Sequence, residues 1–273
     1  MVVFRAQVPC RLRENDLLMW DAAQYLKYES ERRRPFIDLM AQVVRAEAAR
    51  IIDLGCGPGN LTLMLAERWP AARITDVDSS AEMLRSARAL AIAGRLDFVE
   101  ADLARWSPNV PVDLVVSNSA WQWIADHERL LERTVAMLAP GGTLAVQMPC
   151  RFGTSSQKLI DEVSANPRWS DRLRGVGLHR HSVHPVAWYA ERLSKLGLSV
   201  NAWETTYLHA LAGENPVLEW LHGTALRPLL ARLNAAEGAE YLTELSKRLS
   251  AEYPPCGEVT FFPMQRLFFV AKL

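Results

Sequence analysis

The sequence predicts an α/β fold, a doubly wound, mostly parallel seven-stranded sheet covered by helices and elaborated by a helical lid. Three observations lead there. From Arg50 onward, short β-branched runs alternate with longer helical patterns. The strand segments are apolar almost throughout, as parallel strands covered on both faces must be. The chain has 273 residues, 49% hydrophobic and 23% charged, the balance of a globule with a real core.

Arg50–Leu54 reads as the first strand. The loop 55–59 then opens a helix that runs to about Arg68, where Pro70 stops it. Residues 73–77 form the second strand. Ser79, with Glu82 three residues on, has capping-box spacing, and its helix is expected to reach Ala93 with Gly94 as its C-cap. Leu96–Glu100 and residues 112–117 supply the third and fourth strands. A helix over 126–138 carries Leu130, Leu131, Val135 and Leu138 at helical spacing, and Pro140-Gly141-Gly142 turns into a fifth strand at 143–148. Residues 150–195 combine helical pattern with a basic, histidine-containing segment from Arg168 to His184. A strand at 198–207, helices near Pro216–His222, 226–233 and 236–253, and a last strand at 266–272 complete the chain. The implied division is a flexible extension (1–18), a ligand-binding core with an N-terminal helix near 21–45 (19–149), a lid insertion (150–195), and the final strands (196–273) with a helical lid insertion at 213–253. Right-handed crossovers gather the strand-to-helix loops at the carboxyl edge of the sheet, where ligands bind in such folds.

Several function classes are disfavoured. Lys+Arg equals Asp+Glu at 31 each, so the global attraction expected of a nucleic-acid-wrapping or lipid-surface protein is missing. No stretch approaches the roughly 18–20 apolar residues of a membrane span, and the first residues lack the pattern of a secretory signal. Cys10, Cys56, Cys150 and Cys256 are scattered without a CxxC pair and read as reduced cytosolic thiols, which places the protein in the cytoplasm. His179, His181 and His184 have no carboxylate at ligand spacing, so no metal is expected.

The chemistry concentrates in Asp53-Leu54-Gly55-Cys56-Gly57-Pro58-Gly59-Asn60, which follows a strand and opens a helix. Its spacing is D-x-G-x-G-x-G. Asn60 stands where the dinucleotide fingerprint needs its third glycine, and no Gly-Lys-Ser/Thr follows for a phosphate loop. Asp78 ends the second strand about twenty residues later, the offset at which a carboxylate accepts both hydroxyls of a ribose. Asp102, after the third strand, is placed to accept from an adenine amino group. The ligand is therefore an adenosine carrier.

On these residues the chain resembles the class I, Rossmann-like S-adenosyl-L-methionine-dependent methyltransferases, with Asp53, Gly55, Gly57, Gly59, Asp78 and Asp102 at the family's cofactor positions. A narrower resemblance lies outside that core. Trp20-Asp21, Tyr25-Leu26, Arg32-Arg33-Arg34-Pro35, the segment from Asn118 to Trp123 (NSAWQW), the segment from Leu144 to Pro149 (LAVQMP), that from Trp203 to Tyr207 (WETTY), Leu226-Arg227-Pro228, Tyr253-Pro254-Pro255 and Arg266-Leu267-Phe268 together resemble the trans-aconitate 2-methyltransferase family. Family members continue past the Met-Pro with an Asn and then a Pro-Ser/Thr-His motif. This chain reads Arg151 and Ser155-Ser156-Gln157 there.

The resemblance implies transfer of a methyl group to a carboxylate of a small polycarboxylic acid. Sulfonium and carboxylate merge into neutral products and the nucleophile is already ionised, so placement and removal of water matter more than a general base. No acid/base residue is expected. Trp121, Gln122 and Trp123 are expected to border the methyl group, Asn118 to bind the cofactor, and Tyr25 and Arg34 to hold its methionine carboxylate. Tyr207 and Arg227 are expected to bind the acceptor's carboxylates. Two alternatives stay open: another small carboxylic acid or secondary metabolite as acceptor, or a cofactor-binding regulator without turnover. A nucleic-acid substrate is disfavoured, since no Asn/Asp-Pro-Pro-Tyr/Phe motif follows the fourth strand. Oligomeric state is not legible.

Overall fold

The computed structural model describes residues 29–150, 154–176 and 183–273. Within them, β1 (Arg50–Leu54), β2 (Arg73–Asp78), β3 (Leu96–Glu100), β4 (Val112–Asn118), β5 (Leu138–Pro149), β6 (Ser199–Ala212) and β7 (Val259–Lys272) make one seven-stranded sheet in the order β3-β2-β1-β4-β5-β7-β6. Neighbours among β1–β5 pair in parallel, and β7 lies antiparallel between β5 and β6. Strand order reverses between β1 and β4, which opens a crevice at their carboxyl ends.

Both faces of the sheet are covered, which is why its central strands are apolar on both sides. On one face α1 (Glu29–Ala41) and α2 (Thr62–Arg68) bury Phe36, Leu39 and Leu65 against Ile51, Leu114 and Phe268. On the other, α4 (His127–Ala136) and α7 (Val186–Lys195) bury Leu130, Leu131, Tyr189 and Leu193 against Ile52, Val115 and Phe269. α3 (Ala81–Ala87) packs by Leu84 and Ala87 against Cys56 and Phe98 at the β2–β3 side of the sheet. A second core forms where α5 (Ser155–Ser164), α6 (Ser170–Leu173), α8 (Pro216–His222), α9 (Arg227–Leu230) and α10 (Ala235–Glu252) pack on the far end of the β6–β7 ribbon. Trp169, Trp220 and Tyr241 are its largest side chains. Segments far apart in sequence, before β6 and between β6 and β7, thus share one apolar centre. Among the described residues no helix is long and apolar enough to cross a membrane.

The structure corrects several local expectations. The α3 cap is Ser80, not Ser79: its hydroxyl accepts from the Met83 amide, because the Asp78 carboxylate takes the Ser80 N–H and sets the turn one residue later. The helix is also shorter than expected, passing into a 3₁₀ turn at Arg88–Leu90 rather than continuing to Ala93. α4 stops at Ala136 because Leu138 already pairs with Val112; Pro140-Gly141-Gly142 is an irregularity inside β5, not a turn before it. β6 and β7 run to Ala212 and back from Val259, a ribbon longer than its apolar signal because outward-facing positions lie at a sheet edge. Tyr25, residues 1–18, Cys10, Arg151, His179 and His181 lie outside the described residues.

Candidate cofactor and acceptor site

The loop after β1 bends tightly at Gly55, Gly57 and Gly59, all with positive φ. At Gly55 the need is steric as well: a Cβ there would lie 2.2 Å from the Cβ of Ala120. At Gly57 (φ +58) nothing lies within 4 Å of an added Cβ, so the backbone conformation alone selects glycine and the loop faces open space. Asp78 pins the loop. Its carboxylate accepts from the Gly57 amide and the Ser80 amide, each at 2.8 Å. Burial still raises its pKa, against the lowering influence of those amides.

A cavity of about 320 Å³ opens beside this loop. Gly55, Asp78, Asp102 and Leu103 form its wall at the ends of β1 to β3; Ser119, Ala120 and Trp123 form it after β4. Thr224, Arg227 and Pro228 from the helical segment complete the lining. Two carboxylates, Asp78 and Asp102, and one guanidinium, Arg227 of the helical core, thus line the same cavity. Asp102 is exposed there, its Oδ1 accepting from the Ala104 amide at 2.9 Å.

Other predicted positions lie around the cavity rather than on its wall. Asp53 is buried beneath the loop, where its Oδ2 accepts from the Thr62 hydroxyl at 2.9 Å. Burial, with the Asp78 charge adding to it and the Thr62 bond opposing, pushes its pKa up to about 7. Asn118 is buried at the end of β4 with its Oδ1 lacking a hydrogen-bond partner, an acceptor suited to an ammonium group. Trp121 and Trp123 separate: Trp123 lines the cavity, whereas Trp121 is wholly buried with its ring edge-on to Phe269. Gln122 donates from Nε2 to the Ser119 carbonyl at 2.6 Å. Tyr207 is buried under α1, where its hydroxyl donates to Asp38 at 2.6 Å and exposed Arg34 stacks over its ring at 5.0 Å. Tyr207 and Arg34 therefore form a cluster on the α1 face, off the cavity wall.

Sequence reasoning missed the supports behind the wall. His127 is buried at the start of α4, and its Nε2 lies 2.9 Å from the Trp121 carbonyl. A carbonyl only accepts, so Nε2 carries the proton, leaving Nδ1 to accept from the Tyr189 hydroxyl at 2.5 Å. Burial lowers the His127 pKa and keeps the ring neutral in this role. The network ties the 3₁₀ turn Trp121–Trp123 to α7. His127 stands six residues beyond Trp121, a spacing no helix or strand period brings together, so no sequence pattern marks the pair. His184 stacks on Trp188 at 3.9 Å, and among the described residues no group of three metal-ligating side chains occurs.

A glycine cradle at a strand-order reversal, with carboxylates ending the second and following the third strand, defines a class I S-adenosylmethionine-dependent methyltransferase. A methyltransferase-domain family model matches residues 51–142. The chain is 48% identical over 258 residues to trans-aconitate 2-methyltransferase of Streptomyces avermitilis, spanning 92% of this chain and 96% of that protein. It is 42% identical over 257 residues to the Mycobacterium tuberculosis protein of the same name, spanning 93% and 97%. The chain belongs to the trans-aconitate 2-methyltransferase family. Solved structures agree on the fold. The YcgJ protein of Bacillus subtilis matches with a TM-score of 0.57 at 13% identity, over 88% of this chain and 97% of that one. A Haemonchus contortus phosphoethanolamine N-methyltransferase 2 with bound S-adenosyl-L-methionine matches with 0.57 at 16%, over 95% and 57%.

Proposed function

We propose that the protein esterifies one carboxylate of a small polycarboxylic acid, trans-aconitate first among them, to its monomethyl ester. The observation that carries this reading is the position of Arg227, a guanidinium on the wall of the cavity that Asp78 and Asp102 also line. A methyltransferase acting on a neutral or cationic acceptor has no use for a cation there. An acceptor with several carboxylates does, since all but one must be held unreacted. The reading is also supported by relatives at 42–48% identity that bear the name trans-aconitate 2-methyltransferase.

The cofactor supplies an electrophilic methyl group on a sulfonium. Asp78 would hold the ribose hydroxyls, Asp102 would receive the adenine amino group, and the backbone of Gly55, Gly57 and Gly59 would let the chain approach without a Cβ. Asn118, with Arg34 and Tyr25 of the N-terminal segment, addresses the amino-acid end, and Asp53 supports the loop from below. Arg227 orients the acceptor, and Tyr207, off the cavity wall, braces Arg34 from beneath α1. Trp123 and Gln122, with Trp121 behind them, exclude water from the methyl group. Arg227 and the wall at Trp123 would present one acceptor carboxylate oxygen to that methyl group, which would transfer with a neutral thioether as the leaving group. No proton moves, so no base is needed. Charge disappears along the way, so a dry site favours the transition state over the ionic reactants.

Another small acid as acceptor is the second reading, on the strength of the Arg151 to Gln157 departure. Ser156 and Gln157 are buried in the helical core, the Ser156 amide donating to the Tyr253 hydroxyl at 3.1 Å and Gln157 bonded to Asp161 at 2.8 Å. Their place away from the cavity wall favours the first reading. Purified protein assayed with methyl-labelled cofactor against a panel of mono-, di- and tricarboxylates separates the readings. Ester from trans-aconitate at the highest kcat/KM supports the first. Turnover confined to other acids replaces it with the second, and cofactor binding without any product makes the protein a regulator. The reaction fits a cytosolic protein whose acceptor is a small metabolite, acting without nucleic acid or membrane.

A further inference from the structure

Ser119 is the one non-glycine residue among those described with a positive φ, +58. Such a conformation is unfavourable for serine and persists only where neighbours enforce it. Three enforce it here. The Ser119 amide donates to the Gln147 carbonyl at 2.8 Å, its carbonyl accepts from Gln122 at 2.6 Å, and its hydroxyl accepts from Nη1 of Arg266 at 3.0 Å. Arg266 is only 5% exposed, on β7 directly behind the cavity wall. Among the described residues the hydroxyl's own proton has one acceptor, Oε1 of Gln147 at 3.3 Å, long for an O–H···O bond. The amide nitrogen of the same Gln147 is wholly buried with no partner, so the side chain is not settled by the protein alone.

Ser119 nevertheless lines the cavity, beside Ala120 at the point where Gly55 comes closest to the end of β4. A hydroxyl that accepts from a buried guanidinium is polarised toward donating, and the cation behind it favours an anion in front. The part of the wall that carries Asp78 and Asp102 favours the reverse. We infer that Ser119, held and polarised by Arg266, donates a hydrogen bond to a carboxylate of the methyl acceptor, a second point of acid recognition beside Arg227. The inference rests on the polycarboxylate reading and names a subsite within it. Ser119 touches the acceptor; Arg266 is a positioning residue acting through it.

The test compares wild type with Ser119→Gly, Arg266→Lys and Arg266→Met. Glycine removes the hydroxyl while relieving the positive φ, so S119G folds where other replacements add strain. The expected result for S119G is a KM for the tricarboxylate about tenfold or more higher, with kcat changed much less, the size of a lost hydrogen bond to a charged group. S-Adenosylhomocysteine affinity by calorimetry stays within about twofold. R266K keeps most of the effect of arginine and R266M reproduces S119G in KM, a rescue by retained charge that a packing role does not produce. An unchanged KM in S119G overturns the inference and leaves the function reading standing. An equal loss of S-adenosylhomocysteine affinity also overturns it, by assigning the hydroxyl to the cofactor. Wild type that esterifies no carboxylic acid removes the function reading first, and this inference with it.

Discussion

Asp53 and Asp76 stand opposite each other in register on the neighbouring parallel strands β1 and β2, both buried, with the Thr62 hydroxyl donating to Asp53 and neither Asp76 oxygen hydrogen-bonded. Two carboxylates so placed cannot both ionise without a large electrostatic cost. Burial, and then the charge of Asp53, hold the Asp76 pKa well above its usual range. The pair therefore retains protons under the cofactor loop near neutrality.

This arrangement makes stability pH-dependent in a definite direction. The folded-state pKa of Asp53 is raised from 3.8 to about 7, so protons held by the folded form are released by the unfolded form above about pH 4. The contribution is complete below that pH and is lost as pH rises toward about 7. Asp76→Asn replaces one of the two buried carboxyls with a neutral amide of the same shape. It is expected to raise stability at pH 8 by about 1–3 kcal/mol and to flatten the slope between pH 4 and 7. Thermal melts of both proteins across that range check this; parallel curves would refute it.

Asp78→Ala removes both the ribose acceptor and the anchor of the Gly57 and Ser80 amides. Cofactor affinity by calorimetry is expected to fall roughly 100-fold or more, the sum of two hydrogen bonds to a charged group. A change within a factor of three would mean that the cofactor does not lie across this loop.

Gly55→Ala sets a Cβ against Ala120 at a residue with φ +85. Backbone strain and the clash act together, and a loss of about 2–4 kcal/mol in denaturant unfolding is expected. Gly57→Ala, strained at φ but sterically open, should lose less stability.

Trp121 and Trp123 are two residues apart and should fail differently. Trp121→Ala empties a fully buried site and is expected to cost about 3–5 kcal/mol of stability. Trp123→Ala leaves the melt nearly unchanged and lowers kcat/KM, because its ring faces the cavity. Denaturation and steady-state kinetics on both variants separate the two roles.

Arg227→Ala is expected to raise KM for a polycarboxylate roughly 10–100-fold while cofactor affinity holds, the size of one or two charge-assisted hydrogen bonds. An equal loss for mono- and polycarboxylates would show that Arg227 serves the fold or the cofactor instead.

The chain's own letters determined the parallel core and the cofactor end of the site. Those features are local: β1 and β3 have the bounds their apolar runs predict, and the Gly55–Gly57–Gly59 bend and Asp78 are set by residues within one strand–loop–helix unit and its neighbour. Only the tertiary structure decided the acceptor end. Arg266 meets Ser119 across 147 positions, Arg227 reaches the cavity through a helical core built from two distant insertions, and the fate of each tryptophan depends on which face of a 3₁₀ turn meets Phe269. Backbone preferences and apolar periodicity act over a few residues and leave their record in sequence. Which side chains converge on one cavity depends on strand order and packing across the chain, and a single sequence carries no periodic trace of that.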